Sequence, residues 1–465
     1  MFTIDFRENR DSADSTHIHF IGIGGISMSG FAELLHSRGF VISGSDRTKS
    51  PITEHLESLG IQVAYEQVAA NINDDIDLIV YTAAIHPDNP EYAECVRRGL
   101  PMLERAELVG QVMKNYATAV AVAGTHGKTT TTSIASHMLL SAGLDPTISV
   151  GGILPAIGGN IRIGHDGNFI TEACEYTNSF LKFFPTIGII LNIEEDHMDF
   201  FKDIDDIRHS FRRFAELLPE DGTLIISADI DRFDEITDGL ACRVLTFSAT
   251  ADADYTAEDI SYDDHGNPTF TAIADGKKHG PYSLRVPGLH NVGNTLACLA
   301  LADTLGISED AIRRALSDFT GTERRFEYKG KTHGFTIIDD YAHHPTEIRA
   351  TLTAAEKYPH RELWVAFQPH TYSRTKAFLQ DFADALSQAD HVVLADIYAA
   401  REPDPGDISS KDIADRIRDL GGDATYLGGF SEIKKFILKN LMDGDLFITM
   451  GAGNIVEIGE ELLNE

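Results

Sequence analysis

Three times along this chain a short apolar strand runs into a glycine-bearing turn and then a helical stretch, a recurrence that restricts the fold to layered α/β architecture with parallel sheets. The first unit is HIHFIGIGG leading into SMSGFAELLHSRG, followed by the strands FVISGSD and DLIVYTAAI. The second opens after PMLERAELVGQVMK, with ATAVAVAG as strand, GTHGKTTTT as turn and SIASHMLLSAG as a helix closed by Gly143. Its further strands are GNFITEAC, TIGIILNI and GTLIIS. The third unit follows GTERRFEYKGKTHG, with FTIIDD, ELWVAFQP, HVVLAD and DLFITMGAG as strands. The 465 residues exceed what one hydrophobic core holds. Three α/β domains are therefore expected: a Rossmann-like N-terminal domain over 1–107, a central P-loop-type domain over 108–322 and a Rossmann-like C-terminal domain over 323–465.

The middle turn carries the chemistry. Gly124, Thr125, His126, Gly127, Lys128, Thr129 and Thr130 lie between a strand of small apolar residues and a helix. Glycines let backbone N–H groups point at phosphate oxygens, the helix N-terminus adds partial positive charge, Lys128 neutralises terminal phosphates and the Thr129 hydroxyl suits Mg²⁺. Val122 stands where the standard P-loop has its first glycine, so the spacing departs from that pattern. The alternative is a plain glycine turn with an exposed lysine.

A bound metal–nucleotide needs further ligands opposite that loop. FITEACEYTNSF sets Glu172 and Glu175 just past one strand, and LNIEEDHMDFF sets Asn192, Glu194, Glu195, Asp196, His197 and Asp199 just past another. Taken alone, each segment reads better as a helix cap or a solvated end; together with the Lys128 loop, one metal pocket is the better reading. Asn291 and Asn294, three apart at the start of a helix, share a face and suit a base or ribose, N-capping being the alternative. In the third unit Asp339, Asp340, His343 and His344 precede Pro345, which is preset for a helix start, while His370, Arg374 and Lys376 follow another strand. Cations beside carboxylates at strand ends suit a zwitterion or a transferring phosphoryl group, with surface ion pairing as the alternative. Arg324 and Arg325 stand in the linker. The first turn, GIGGISMSG, resembles a dinucleotide fingerprint but has Ser27 in place of the third glycine, which argues against a nicotinamide oxidoreductase; it still suits a diphosphate, with Asp46 on a ribose or base donor.

Seventy-two acidic against 39 basic residues give a formal charge of −33, which repels nucleic acid and anionic lipid. Cys95, Cys174, Cys242 and Cys298 form no CxxC pair, which fits a reducing cytoplasm. The polar N-terminal MFTIDFRENRDSADS is unlike a signal peptide, and no run approaches a membrane span.

In combination, GIGGISMSG, AGTHGKTTTT, TEACEYTNSFL, LNIEEDHMDFF, HNVGN, DDYAHHPTEI and FQPHTYSRT resemble the Mur ligase family through all three domains in order. The resemblance implies a cytoplasmic enzyme of peptidoglycan precursor synthesis, monomeric or homodimeric, taking UDP-N-acetylmuramate, L-alanine and ATP with Mg²⁺. ATP would phosphorylate the lactyl carboxylate, and the amine of L-alanine would displace phosphate through a tetrahedral intermediate. It implies that Lys128 holds the terminal phosphates, that Thr129, Glu172 and His197 hold Mg²⁺, and that Asn291, Asn294 and Arg325 serve the nucleotide. Asp340 would be needed for activity, and His344 and Arg374 would meet the amino acid and acyl phosphate. Gly22, Gly24, Gly25, Ser27, Met28, Asp46 and Thr82 would line the UDP site. Thr371 stands where many relatives have arginine, leaving Lys376 as a candidate substitute, and HSFRRFAELLP offers no lysine for carbamylation. A ligase attaching a whole tripeptide to the same sugar nucleotide is the nearest rival; a P-loop binding switch is the rival from another class.

Overall fold

The computed structural model describes residues 3–6, 16–400 and 402–465. The polar N-terminal segment read above as unlike a signal peptide lies largely outside these residues. Three sheets follow one another along the chain. The first is wholly parallel, in the order β3-β2-β1-β4-β5, built from β1 (His17–Ile21), β2 (Val41–Ser45), β3 (Gln62–Ala64), β4 (Leu78–Tyr81) and β5 (Met102–Glu104).

The central sheet comprises β6 (Thr118–Ala123), β7 (Thr147–Leu154), β8 (Gly159–Arg162), β9 (Asn168–Ala173), β10 (Ile187–Ile190), β11 (Thr223–Ser227), β12 (Arg243–Ser248), β13 (Tyr255–Tyr262), β14 (Pro268–Ala274) and β15 (Lys277–Ser283). Their order is β15-β14-β13-β12-β11-β10-β6-β9-β7-β8. Pairing is parallel from β7 through β13 and antiparallel at both edges. The chain leaves β6 toward one side and returns to fill the other, so the loop after β6 sits at the point where strand order reverses, where open α/β sheets bind ligands.

The third sheet contains β16 (Glu327–Thr332), β17 (Phe335–Asp340), β18 (Leu363–Phe367), β19 (His391–Ala395), β20 (Ala424–Gly428) and β21 (Leu446–Met450) in the order β16-β17-β21-β18-β19-β20, with only β16 antiparallel.

Alternation along β6 explains how the central sheet is held. Ala119, Ala121 and Ala123 face a core shared with Val109, Phe180, Phe211 and Phe214, whereas Val120 and Val122 face Ile134 and Met138 of the helix Lys128–Ser141. The first of these cores continues into the N-terminal sheet through Phe20, Phe31 and Leu108. The helix Arg105–Met113 therefore joins two layers and spans the boundary expected at 107/108.

The sequence reading placed only β6, β9, β10 and β11 in the central sheet. The sheet also holds β7, β8 and β12 to β15, of which β14 alternates buried and half-buried residues at every position and is followed by Asp275-Gly276, both at positive φ as a tight hairpin requires. Among the described residues no helix is long and apolar enough to cross a membrane.

Gly110 marks the tightest contact between the first two layers: a Cβ there would lie 2.0 Å from the Lys182 carbonyl oxygen. Gly→Ala in a helix ordinarily stabilises. Here Gly110→Ala is expected to act in the opposite sense, through overpacking of about 1–3 kcal/mol, and to lower the apparent Tm by roughly 2–8 °C. Differential scanning calorimetry checks this; an unchanged or raised midpoint would contradict the docking described.

Candidate active site

The turn after β6 is shaped by its neighbours. Gly124 and Gly127 both have positive φ, 144° and 82°. A Cβ on Gly124 would sit 3.0 Å from Leu191 Cβ, and one on Gly127 3.0 Å from Asn294 Oδ1, so a side chain at either place would crowd its neighbour and hold a strained positive φ. Asn192 clasps the turn in both directions, accepting from the His126 N–H at 2.8 Å and donating to the His126 carbonyl at 3.1 Å. Thr125 donates its N–H to the Asn192 carbonyl, and its hydroxyl accepts from the Glu194 N–H at 2.9 Å. Lys128 opens the helix, and its ammonium donates to the Gly124 and Thr125 carbonyls and to Glu175 Oε2 at 3.0 Å. Burial opposes the charge on Lys128, but Glu175, with Cys174 and Glu172, outweighs it and raises the pKa.

Glu172 and Thr129 are brought together by the Gly151-Gly152 backbone: Gly151 donates its N–H to Glu172 at 2.5 Å, and a Cβ on Gly152 would sit 3.4 Å from Thr129 Cγ2. His197, at positive φ, places Nε2 4.0 Å from Glu175, and burial lowers its pKa, leaving a neutral imidazole. A hydroxyl, a carboxylate and a neutral imidazole around Lys128 are a donor set that would suit a divalent cation. Among the described residues a second cluster, His126, Glu194 and His344, has ligand atoms within 4.8 Å of one another. Burial opposes charge on His126, but Glu347 and then Glu194 raise its pKa to about 9, so this cluster already holds a cation, the imidazolium.

A cavity opens beside the turn between the central and third sheets. His126, Gly127, Thr130, Asn192 and Glu194 line one wall, Asn291 and Asn294 a second, and Arg325, Asp340, Thr346 and Glu347 a third. Asn291 and Asn294 are not N-caps, since Gly288 holds that position; Asn291 donates to the Pro287 carbonyl at 2.7 Å and accepts from Asn294 at 3.1 Å. The two linker arginines part company. Arg324, at positive φ, is spent on Asp339 and the Gly451 and Gly453 carbonyls, while Arg325 lines the cavity. Asp340 accepts from the Phe326 and Ala342 N–H groups at 2.8 and 2.7 Å, and burial, partly offset by Arg325, raises its pKa to about 6.

His344 caps the helix Pro345–Ala355 with Nδ1 and places Nε2 3.0 Å from the Glu195 carbonyl; burial, then His126, lowers its pKa to about 4, so Nε2 donates as a neutral ring. Arg374 donates to Asp196 at 2.9 Å. Burial would raise the Asp196 carboxyl, but Arg374 and neighbouring histidines hold it well below the usual range. Thr371, at φ 66°, caps the helix Tyr372–Ala377. Lys376 is exposed and pairs with Asp407, so it does not replace an arginine at Thr371.

The N-terminal turn is a separate site. Gly22 and Ile23 donate to the Ser45 carbonyl, and Gly24 donates to Asp46 Oδ2 at 2.9 Å. Asp46 thus pins the turn. Gly25 is the N-cap of the helix Ile26–Ser37, which has no side-chain cap, and Thr82 abuts Gly22. Met28 departs from the expectation: its side chain is buried in the core, leaving only its backbone to a ligand. Arg105, not anticipated, reaches Ser27 Oγ at 3.3 Å and supplies a cation there.

The match to known proteins is continuous over this architecture. Residues 17–117 match the model described as Mur ligase family, catalytic domain; 122–302 the Mur ligase middle domain; and 324–453 the Mur ligase, glutamate ligase domain. The chain is 59% identical to the UDP-N-acetylmuramate--L-alanine ligase of Agathobacter rectalis over all of both chains. The chain belongs to the Mur ligase family. A further UDP-N-acetylmuramate--L-alanine ligase, from Lachnospira eligens, is 57% identical over all of both chains. Among solved structures, the UDP-N-acetylmuramate-alanine ligase of Thermotoga maritima superposes with a TM-score of 0.80 at 31% identity, covering 96% of this chain and 98% of that one. The murein peptide ligase of Psychrobacter arcticus superposes at 0.71 and 26% identity, covering 97% and 98%.

What sequence reading of this Mur ligase missed are the anions that orient its cations: Glu175 on Lys128, Asp196 on Arg374 and Glu347 on His126. Glu175 and Asp196 were named only as members of polar strand ends.

Asp340 gives a pH test. Its raised pKa means that the folded protein favours the neutral carboxyl as pH falls through about 6, and a neutral carboxyl accepts from only one of the two N–H groups equally well. Activity is expected to show an acid limb near pH 6. Asp340→Asn, neutral at every pH, should lose about tenfold at pH 7.5, the size of one impaired buried hydrogen bond, and should lack that limb. A limb retained in the variant would assign it elsewhere.

Proposed function

We propose that this Mur ligase joins L-alanine to the lactyl carboxylate of UDP-N-acetylmuramate, converting ATP to ADP and phosphate, as a cytoplasmic enzyme of peptidoglycan precursor synthesis. The observation that carries the reading is the opposition, across one cavity, of the turn before Lys128 (His126, Gly127) on the central sheet and Arg325 and Asp340 of the third domain. The names of the full-length relatives supply the two substrates.

In this reading the adenosine occupies the cavity beside Asn291, Asn294 and Arg325, and the phosphates lie along Gly124 to Thr130, whose N–H groups and helix N-terminus favour anions. Thr129, Glu172 and His197 would hold Mg²⁺, which when bound screens the phosphate charge. Lys128 stabilises the γ-phosphoryl group as it passes to a carboxylate oxygen of the sugar nucleotide, the bond to the β-phosphate oxygen breaking as the new P–O bond forms. The alanine amine then attacks the acyl carbon, phosphate leaves with the P–O–C oxygen, and the amine gives up a proton. Neutral His344 and the cation Arg374 stand on the third-domain side for the amino acid and the departing phosphate. The UDP group belongs to the N-terminal turn, on Gly22, Gly24, Gly25, Ser27, Asp46 and Thr82, with Arg105 beside it. The division 1–107, 108–322 and 323–465 assigns one ligand to each domain, and a monomer or homodimer suffices.

ADP release requiring both UDP-N-acetylmuramate and L-alanine is the expected result. Lys128→Ala should lower kcat roughly 10²–10³-fold while binding of the UDP-sugar, measured by calorimetry, is retained. Turnover with a tripeptide and not with alanine would replace this reading with that of a murein peptide ligase.

A further inference from the structure

We propose that Glu347 is a positioning residue for the nucleotide, a single carboxylate that ties the phosphate loop and the linker arginine to the first helix of the third domain. The inference rests on the functional reading above. Glu347 lies in the first turn of the helix Pro345–Ala355, and its side chain is only 13% exposed. Its Oε1 is 3.2 Å from His126 Nδ1, in the phosphate loop, and 3.9 Å from Arg325 Nη1. Its Oε2 accepts from the His343 N–H at 3.1 Å and lies 3.1 Å from His343 Nδ1. His126, Arg325 and Glu347 all line the nucleotide cavity. The three partners come from the central domain, the linker and the third domain, so the full contact set exists only with the two domains packed together.

The electrostatics support one shared anion. Burial alone would raise the Glu347 carboxyl, but His343 and then His126 hold it well below the usual carboxylate range, so it stays ionised. The charged or titratable groups facing it are His343, His344, His126, Arg325 and Asp340. Those facing His126 are Glu347, Glu194 and His344. Truncating a buried anion of this kind leaves its cationic partners without a counter-charge, a loss larger than that of an exposed pair. Here the loss falls on the wall that receives the nucleotide and leaves the N-terminal turn untouched.

The test uses the full chain with steady-state ADP release and, separately, calorimetric binding of a non-hydrolysable ATP analogue with Mg²⁺. Glu347→Gln should raise the KM for ATP about tenfold or more and leave the KM for UDP-N-acetylmuramate within about twofold. His126 keeps only Glu194, so its pKa falls from about 9 and the alkaline limb of kcat/KM for ATP moves to lower pH. Glu347→Asp should recover part of both effects. A loss shared equally between the substrates, or an alkaline limb that stays in place, would make Glu347 merely structural and overturn the proposal. Should Glu347→Gln fail to fold, His126→Asn is read the same way, by a selective rise in the KM for ATP. If the wild type releases no ADP with these substrates, the functional reading fails; the proposal is then decided by the analogue, whose affinity Glu347→Gln must still weaken about tenfold.

Discussion

The clasp between Asn192 and the backbone of His126 is the contact on which the site depends. β6 and β10 are parallel neighbours buried on both faces, so the residues that follow them emerge side by side at the carboxyl edge. Asn192 turns that adjacency into a fixed loop by satisfying one N–H and one carbonyl of the turn, and Leu191 and Asn294 would be crowded by side chains at Gly124 and Gly127. The loop's shape is therefore set by the sheet beneath it and by the helix Leu289–Thr304 beside it. N–H groups aimed in advance need no reorganisation when an anion arrives, which is the condition under which such dipoles contribute most to catalysis.

The same clasp propagates outward. The residues after Asn192 carry Glu194 to His126, Asp196 to Arg374 and the Glu195 carbonyl to His344. Five consecutive positions at one strand end, 192–196, thus supply contacts to both the phosphate loop and the third domain. Docking of the third domain and shaping of the cavity wall are consequences of one segment, which explains why the His126 imidazolium is shared between Glu194 and Glu347, one from each side.

How much of this was legible in the sequence follows from the range over which each interaction acts. The phosphate turn, the shared face of Asn291 and Asn294, and the start of the helix at Pro345 are local in sequence and were read from spacing. The antiparallel edge β13 to β15 is also local, in the alternation of PTFTAIA before Asp-Gly, but the stronger parallel strand–turn–helix pattern masks it. The pairing of Arg374 with Asp196, 178 residues away, depends on the register of two domains, which no short-range pattern encodes. Arg324 and Arg325 were indistinguishable as neighbours. A positive φ at Arg324 turns its side chain into the third domain and leaves Arg325 to the cavity.

The chain's formal charge of −33 gives an overall field that opposes the approach of anionic ligands. The site resolves this by pairing each cation with a carboxylate within the fold: Lys128 with Glu175, Arg374 with Asp196, His126 with Glu194 and Glu347. Buried pairs of this kind contribute little net stability, because desolvation offsets most of the attraction. Their value lies in keeping the cations charged and oriented. A lysine or histidine buried without an anion would lose its proton and, with it, its use to a phosphate. Held as pairs, these groups present fixed dipoles to a ligand that carries its own charge, and the surplus acid of the rest of the chain, spread over a solvated surface, is screened within about 8 Å at physiological salt. The anions of this site are thus as much part of it as its lysine and arginines, and Glu347, which pairs with both His126 and Arg325, is where that arrangement is most concentrated.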